Sequence, residues 1–320
     1  MSDSLTSESL SGALKYGSVG LYGAAQRIFI AFALTSGPAS SLIDAPFGRY
    51  LPASRRLTVN GNIGWLVMEI VSPLCFVLAL ASDVAPTSPF FRLPSLSDLS
   101  DTFSSLPIAR RILASLFLVH YLNRAVISTF RNPGRARMHI SVPLAAIFFN
   151  ILNGSLQGFY IGGGAGANNG GNDLVGWGLR DTAWSTPLFL AGVTLWTGGF
   201  ISNIICDEIL YSCKRSRPTP PLTATPKERY SIPRGFLYDR PFGGASHPAY
   251  FVEWIEWTGY MLSTFALAPT LFPLEALANA GPGKAWITVF PPPPGAMLNQ
   301  VPKALWPLQG WAFQPPALFL

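Results

Sequence analysis

The sequence predicts an all-α integral membrane helical bundle of about six spans, and three observations carry that reading. Of its 320 residues, 49% are hydrophobic and only 12% are charged, where a soluble domain carries about 25% charge. Apolar runs approach the ~20 residues a helix needs to cross the hydrocarbon core. Lys and Arg residues concentrate in alternate loops between those runs. Helices satisfy their own backbone hydrogen bonds inside lipid, so a bundle is the expected architecture.

Six spans follow in order. Residues 13–36 form a weak first span, diluted by Lys15, Arg27 and several glycines. Residues 63–82 carry one charge, Glu69. Residues 111–130 are apolar chiefly from Ile112 to Leu122 and then bear Arg124. Residues 140–162 are uncharged but contain Asn150, Asn153 and Gln157, and residues 186–206 run into Asp207. Residues 249–272 close the series and hold two glutamates, Glu253 and Glu256. The organisation reads as an N-terminal segment (1–62), a membrane bundle (63–272) and a Pro-rich tail (273–320).

The loops test this layout. Loops 37–62, 131–139 and 214–247 contain three, three and seven of the 22 basic residues. The intervening loops, 83–109 and 163–185, contain Arg92 and Arg180 against five aspartates. The alternation supports the span count and places the basic loops on the cytoplasmic side. The net charge of +6 is explained by these loops, and no RNA- or DNA-binding pattern accompanies it. The three histidines and three cysteines have no ligand spacing, which argues against a zinc site. On one predicted helix, Cys206 and Cys213 lie about 10 Å apart at 1.5 Å per residue, too far for a disulfide.

Some groups carry chemistry. A carboxylate at mid-bilayer costs roughly 2.5–3.5 kcal/mol even on the lenient insertion scale. Glu253 and Glu256 therefore face a polar cavity or substrate, or else bond polar groups on a neighbouring helix. Residues three apart share one helix face. Glu69 stands alone on the second span, while His120, Tyr121 and Arg124 cluster on the third. A carboxylic acid that keeps its proton in an apolar site donates a hydrogen bond, as a phenol does, and two such donors suit a ketone oxygen that gathers charge. The competing reading is a Glu69–Arg124 ion pair that holds helices together. Asn203 and Asp207, four apart, precede Lys214, Arg215 and Arg217. They suit a phosphorylated, ribose-bearing ligand, or an ordinary helix end followed by topogenic charge. The glycine-rich run 162–173 fits no phosphate-loop pattern and follows a span, not a strand.

Six short stretches occur in a fixed order: Val119-His-Tyr-Leu-Asn-Arg124, Asn132-Pro-Gly-Arg135, Asn153-Gly-Ser-Leu-Gln-Gly-Phe-Tyr160, Asn203-Ile-Ile-Cys-Asp207, Ile232-Pro-Arg-Gly235 and Glu253-Trp-Ile-Glu-Trp257. Together they resemble the C-terminal region of the steroid 5α-reductase (3-oxo-5α-steroid 4-dehydrogenase) family. The resemblance implies a multi-pass endoplasmic-reticulum enzyme that uses NADPH to reduce a double bond conjugated to a ketone in a lipid-soluble substrate. It implies that Glu69 and Tyr121 hold the ketone oxygen. It implies cofactor contacts from Asn132, Arg135, Asn203, Asp207 and Tyr230, with Glu253 lining the nicotinamide and substrate cavity; Lys214 joins them as a cofactor-binding candidate from the cationic run alone. The chain departs from the pattern at Met68 (often Gln), Ala249 (commonly Asn) and Val252 (usually Gly). The family also continues with a seventh span and a basic tail. Here the residues after Phe272 include four consecutive prolines and no histidine, so that last span is expected to be missing and part of the cofactor site with it. Two other readings remain: a membrane methyltransferase of isoprenylcysteine or phospholipid type, suggested by His247-Pro-Ala-Tyr250 before a Glu-bearing helix, and a catalytically impaired homologue. NADPH oxidation against S-adenosylmethionine consumption separates the enzyme classes.

Overall fold

The computed structural model describes residues 24–36, 39, 42, 44–51, 56–81, 95–162, 181–216, 233–238 and 248–267. The protein is an all-α integral membrane bundle. Its helices are α1 (Ala24–Ser36), α2 (Gly61–Ala81), α3 (Leu96–Ser105), α4 (Ile108–Arg131), α5 (Ser141–Ile161), α6 (Pro187–Arg215) and α7 (Pro248–Leu267). Among the described residues, α2, α4, α5 and α6 are long and apolar enough to cross a membrane. The other two expected spans coincide with the shorter apolar α1 and the 20-residue α7. Large side chains such as Ile63, Leu74, Leu144, Leu190 and Ile201 stand outward on these helices, a face that suits lipid and not water.

Glycines set the helix spacing. A Cβ on Gly154 would lie 2.1 Å from the Ser72 carbonyl oxygen, and one on Gly158 2.2 Å from that of Phe76. Gly162 lies against Leu80 in the same progression, so α2 and α5 run parallel. Gly192 meets Gly259 and Ser263, while Gly199 meets Glu256, so α6 and α7 run antiparallel. Both directions agree with consecutive helices crossing in alternation. Small residues at such seams let backbones approach where lipid supplies no hydrophobic drive between helices.

The basic loops meet at one end. Thr58 and Val59 pair antiparallel with His139 and Met138 in a two-stranded ribbon that sequence periodicity did not signal. Lys214 reaches the Gly134 carbonyl, and Arg215 donates to the Arg131 carbonyl and to Glu208. At the other end, Arg110 pairs with Asp181 at 2.7 Å, joining the starts of α4 and α6. Helix α3 also lies toward that end, in a stretch expected to be loop. Its start is fixed by a capping box in which the Ser95 hydroxyl accepts from the Asp98 N–H and the Asp98 carboxylate accepts from the Ser95 N–H. Helix α6, with 29 residues, is roughly 44 Å long at 1.5 Å per residue. Its last turns outreach a hydrocarbon core of about 30 Å. Tyr230, the glycine-rich run beyond Gly162 and the Pro-rich tail lie outside the described residues.

Candidate active site

A buried polar cluster joins α2, α4, α5 and α7. Helix α4 changes there from α to π geometry over Leu122–Ile127. Such bulges re-aim side chains and recur at functional sites, and this one contains Arg124. The guanidinium is the hub: Nη1 donates to Glu253 Oε2 at 2.9 Å, and Nε lies 3.5 Å from Glu69 Oε1. The Glu69–Arg124 contact that competed with the carbonyl reading is therefore present, and Glu253 shares the same cation. His120, one turn earlier, shares a 2.7 Å hydrogen bond between Nδ1 and Glu256 Oε1. Its Nε2 faces Glu253 Oε1 at 3.8 Å.

Tyr121 lies beside this charge chain. Its hydroxyl accepts from Asn153 Nδ2 at 2.8 Å and donates across 3.4 Å to Asn150 Oδ1. Asn150 in turn donates to the Met68 carbonyl at 2.7 Å, and Asn153 donates to the Ser72 hydroxyl. Two amides on α5 thus hold Tyr121 against the α2 turn that bears Glu69. An aromatic floor of Phe76, Phe117, Trp257 and Tyr260 surrounds the phenol. The two residues expected to hold a ketone oxygen are brought into one buried site, 8% and 1% exposed.

A second cluster lies at the end where the basic loops meet, joined to the first through Trp65. The indole Nε1 donates to the Arg124 carbonyl at 3.1 Å. The Arg124 and Arg135 guanidiniums lie 4.9 and 4.5 Å from its ring centre. Arg135 also donates to Ser128 and Asn62. Asn132 Oδ1 accepts from the Gly134 N–H and from Lys214 Nζ. Asp207 accepts from the Tyr211 hydroxyl at 3.2 Å, one helical turn on. Asn203 donates to the Ala249 carbonyl at 2.9 Å, which ties α6 to the start of α7. Among the described residues, neither Arg135 nor Lys214 has a carboxylate within ion-pair distance. Burial pushes the Arg135 guanidinium down from its ordinary value, so an anion that balances its charge is favoured there. Arg135 and Lys214, with only the Asp207 charge near both among the described residues, are a donor set of the kind a phosphorylated, ribose-bearing ligand takes.

Comparison with known sequences decides the relationship. A family model described as 3-oxo-5-alpha-steroid 4-dehydrogenase matches residues 136–285. The human 3-oxo-5-alpha-steroid 4-dehydrogenase 1 is 30% identical over 230 residues, covering 72% of this chain and 72% of its own length. An uncharacterized protein of Schizosaccharomyces pombe is 34% identical over 71% of this chain and 76% of its own length. The steroid 5-alpha-reductase DET2 of Gossypium hirsutum is 28% identical over 75% of this chain. The chain belongs to the 3-oxo-5-alpha-steroid 4-dehydrogenase family. Its members are oxidoreductases acting on CH–CH groups, and this chain is one of them.

In this steroid dehydrogenase relative, the expected residues fall into the two clusters. Glu69, Tyr121 and Glu253 enter the first, while Asn132, Arg135, Asp207 and Lys214 enter the second. Asn203 lies one turn before Asp207, with its amide committed to Ala249. Tyr230 lies outside the described residues. The site also contains His120, Arg124, Asn150, Asn153, Trp65 and Glu256, which were not among the expected site residues. Polar side chains within apolar spans were the available signal for most of them. For Trp65 there was none.

Proposed function

We propose that the chain reduces the carbon–carbon double bond of a lipidic enone, a 3-oxo-steroid by kind, with NADPH as hydride donor. The observation that carries this reading is the buried Glu69–Tyr121 site placed one Trp65 away from a cationic cluster whose Arg135 and Lys214 make no ion pair among the described residues. The first suits a ketone and the second a phosphorylated cofactor. Arg135 and Lys214 would hold phosphate, and Asp207 would accept from ribose hydroxyls, with Asn132 and Asn203 lining the same path. The bound nicotinamide would supply hydride to the β-carbon of the enone.

The chain's own residues would do the rest. Tyr121 donates to the ketone oxygen in exchange for its long bond to Asn150. Glu69, held by Oε1 beside Arg124, is the second group at the ketone oxygen. Both stabilise the enolate as charge moves onto oxygen. The apolar walls from Phe76, Phe117 and Trp257 exclude water, which strengthens those interactions. The endoplasmic-reticulum membrane, with the basic end toward the cytoplasm, is the setting in which a lipid substrate enters laterally and a water-soluble cofactor enters from the loops.

The test is a screen of lipidic enones against membranes that hold the chain, with NADPH added and products read by mass spectrometry. Gain of two hydrogens by a steroid enone, dependent on NADPH, is the expected result. Transfer of a methyl group from S-adenosylmethionine, with no NADPH oxidation, would overturn the reading.

A further inference from the structure

The reduction consumes a proton as well as a hydride, and the buried site contains a group arrangement that the ketone-holding pair does not use. His120 lies between two carboxyls of α7. Its Nδ1 is hydrogen-bonded to Glu256 Oε1 at 2.7 Å, and its Nε2 faces Glu253 Oε1 at 3.8 Å. Both facing atoms, His120 Nε2 and Glu253 Oε1, are fully buried and make no hydrogen bond. Trp257 packs edge-on against the imidazole at 4.7 Å and Tyr121 at 5.0 Å, which fixes the ring plane. The charged groups facing His120 are Glu253 and Glu256 of α7, Arg124 of its own helix and Glu69 of α2. Helix α5 contributes the amides Asn150 and Asn153 to this region.

The three carboxyls differ in company. Glu69 and Glu253 both touch the Arg124 guanidinium. Glu256 touches no permanent cation among the described residues, is 0% exposed, and its Oε2 has no hydrogen-bond partner. An ionised carboxylate there would be an uncompensated buried charge. The neutral arrangement places a proton on Glu256, shared with Nδ1, and a second on Nε2. An imidazole loaded in this way can accept at one nitrogen and release at the other.

We propose that Glu256, His120 and Glu253 form a proton relay that supplies the proton consumed in each reduction; this rests on the enone-reductase reading. Hydride addition to the β-carbon converts the C=C electron pair into an enolate. His120 passes its Nε2 proton to Glu253 Oε1, and Glu253 passes it to the α-carbon, where the new C–H bond restores the ketone. His120 simultaneously takes the Glu256 proton at Nδ1. The cycle closes when that proton returns to Glu256 and a solvent proton reloads Nε2. The 3.8 Å separation closes by a small ring movement, as such bonds often tighten only around a substrate. Glu253 is the member at the reacting carbon, and His120 and Glu256 act through it.

The experiment uses the full chain in membranes, a 4-ene-3-oxo steroid and NADPH, in light and in heavy water. Wild-type protein is expected to place deuterium on one face of the α-carbon and to show a solvent isotope effect on turnover. His120→Gln is expected to lower turnover by ~100-fold or more and to spread deuterium over both faces. Glu256→Gln is expected to do the same to a smaller degree, with Glu256→Asp restoring single-face labelling. A readout independent of turnover is the infrared band of a protonated carboxyl, present in the wild-type membranes and lost in Glu256→Gln. Variants that turn over normally and still label one face would overturn the relay and leave the reductase reading standing. A wild-type chain that reduces no enone would overturn the reductase reading and the relay together. If neither glutamine variant accumulates, a wild-type spectrum without a protonated-carboxyl band overturns the relay, and a band retained in Glu256→Asp supports it.

Discussion

The Tyr121 hydroxyl accepts a strong bond and makes a weak one: 2.8 Å from Asn153, 3.4 Å to Asn150. A proton held across 3.4 Å is beyond the usual O–H···O range of 2.5–3.0 Å and is available to a better acceptor. Tyr121→Phe removes that donor while the aromatic floor keeps the ring in place. Glu69→Gln keeps the shape of the second ketone-side group but loses its charge and the ion pair with Arg124. Each variant is expected to cut enone reduction by on the order of 100–1,000-fold with NADPH affinity unchanged. Asp207→Ala should do the reverse, weakening NADPH binding with little loss at saturating cofactor. Fluorescence titration of the nicotinamide alongside steady-state turnover separates the two effects, and a shared loss in all three variants would contradict the division of labour. Glu253 and Glu256 were legible from sequence because charge is expensive inside an apolar run. Their partners were not. His120 and Arg124 lie 136 and 129 positions away, and nothing in local spacing reports which helix faces which.

At the scale of elements, the helices themselves were readable from hydropathy, and their registry was not. Registry is written in glycines. Gly199 and Gly198 are neighbours on α6 with opposite surroundings. A Cβ on Gly199 would lie 2.5 Å from the Glu256 backbone nitrogen and 2.8 Å from its Cβ, whereas one on Gly198 meets nothing within 4 Å. Gly199→Ala must push α7 away and disturb the Glu256 to His120 contact, an overpacking penalty of typically 1–3 kcal/mol. Gly198→Ala relieves a helix-interior glycine and is expected to be neutral or to stabilise by up to about 1 kcal/mol. Thermal inactivation of enone reduction in membranes measures both, and equal behaviour of the two variants would refute the seam. Two elements escaped hydropathy for physical reasons. The ribbon of Thr58–Val59 with Met138–His139 is too short to show a period. Helix α3 is too short and polar to register as a span, and its signals were local: Leu96, Leu99 and Phe103 on one face and the Ser95–Asp98 capping box.

For the whole molecule, the arrangement of ends makes a claim about sidedness that the helices alone do not. Three basic loops alternate in sequence with two acidic ones. In the structure the basic loops contact one another through the ribbon and through Lys214 and Arg215, while Arg110 and Asp181 meet at the opposite end. The orientation proposed above, with the Lys- and Arg-rich end toward the cytoplasm, follows the charge asymmetry that orients multi-pass proteins in bilayers. That orientation also presents Arg135 and Lys214 to the compartment from which a water-soluble phosphorylated cofactor would arrive. Gly134 is exposed at the basic end with open space around a Cβ, and Thr182 is exposed at the other end. Gly134→Cys and Thr182→Cys, each made after replacing Cys75, Cys206 and Cys213 by serine, report the two sides. In sealed vesicles with the cytoplasmic face outward, a membrane-impermeant thiol reagent should label the Gly134 position at once. The Thr182 position should label only after the vesicles are opened with detergent. Labelling of Thr182→Cys in intact vesicles, with Gly134→Cys protected, would invert the molecule and separate the cationic cluster from the cofactor it is argued to bind.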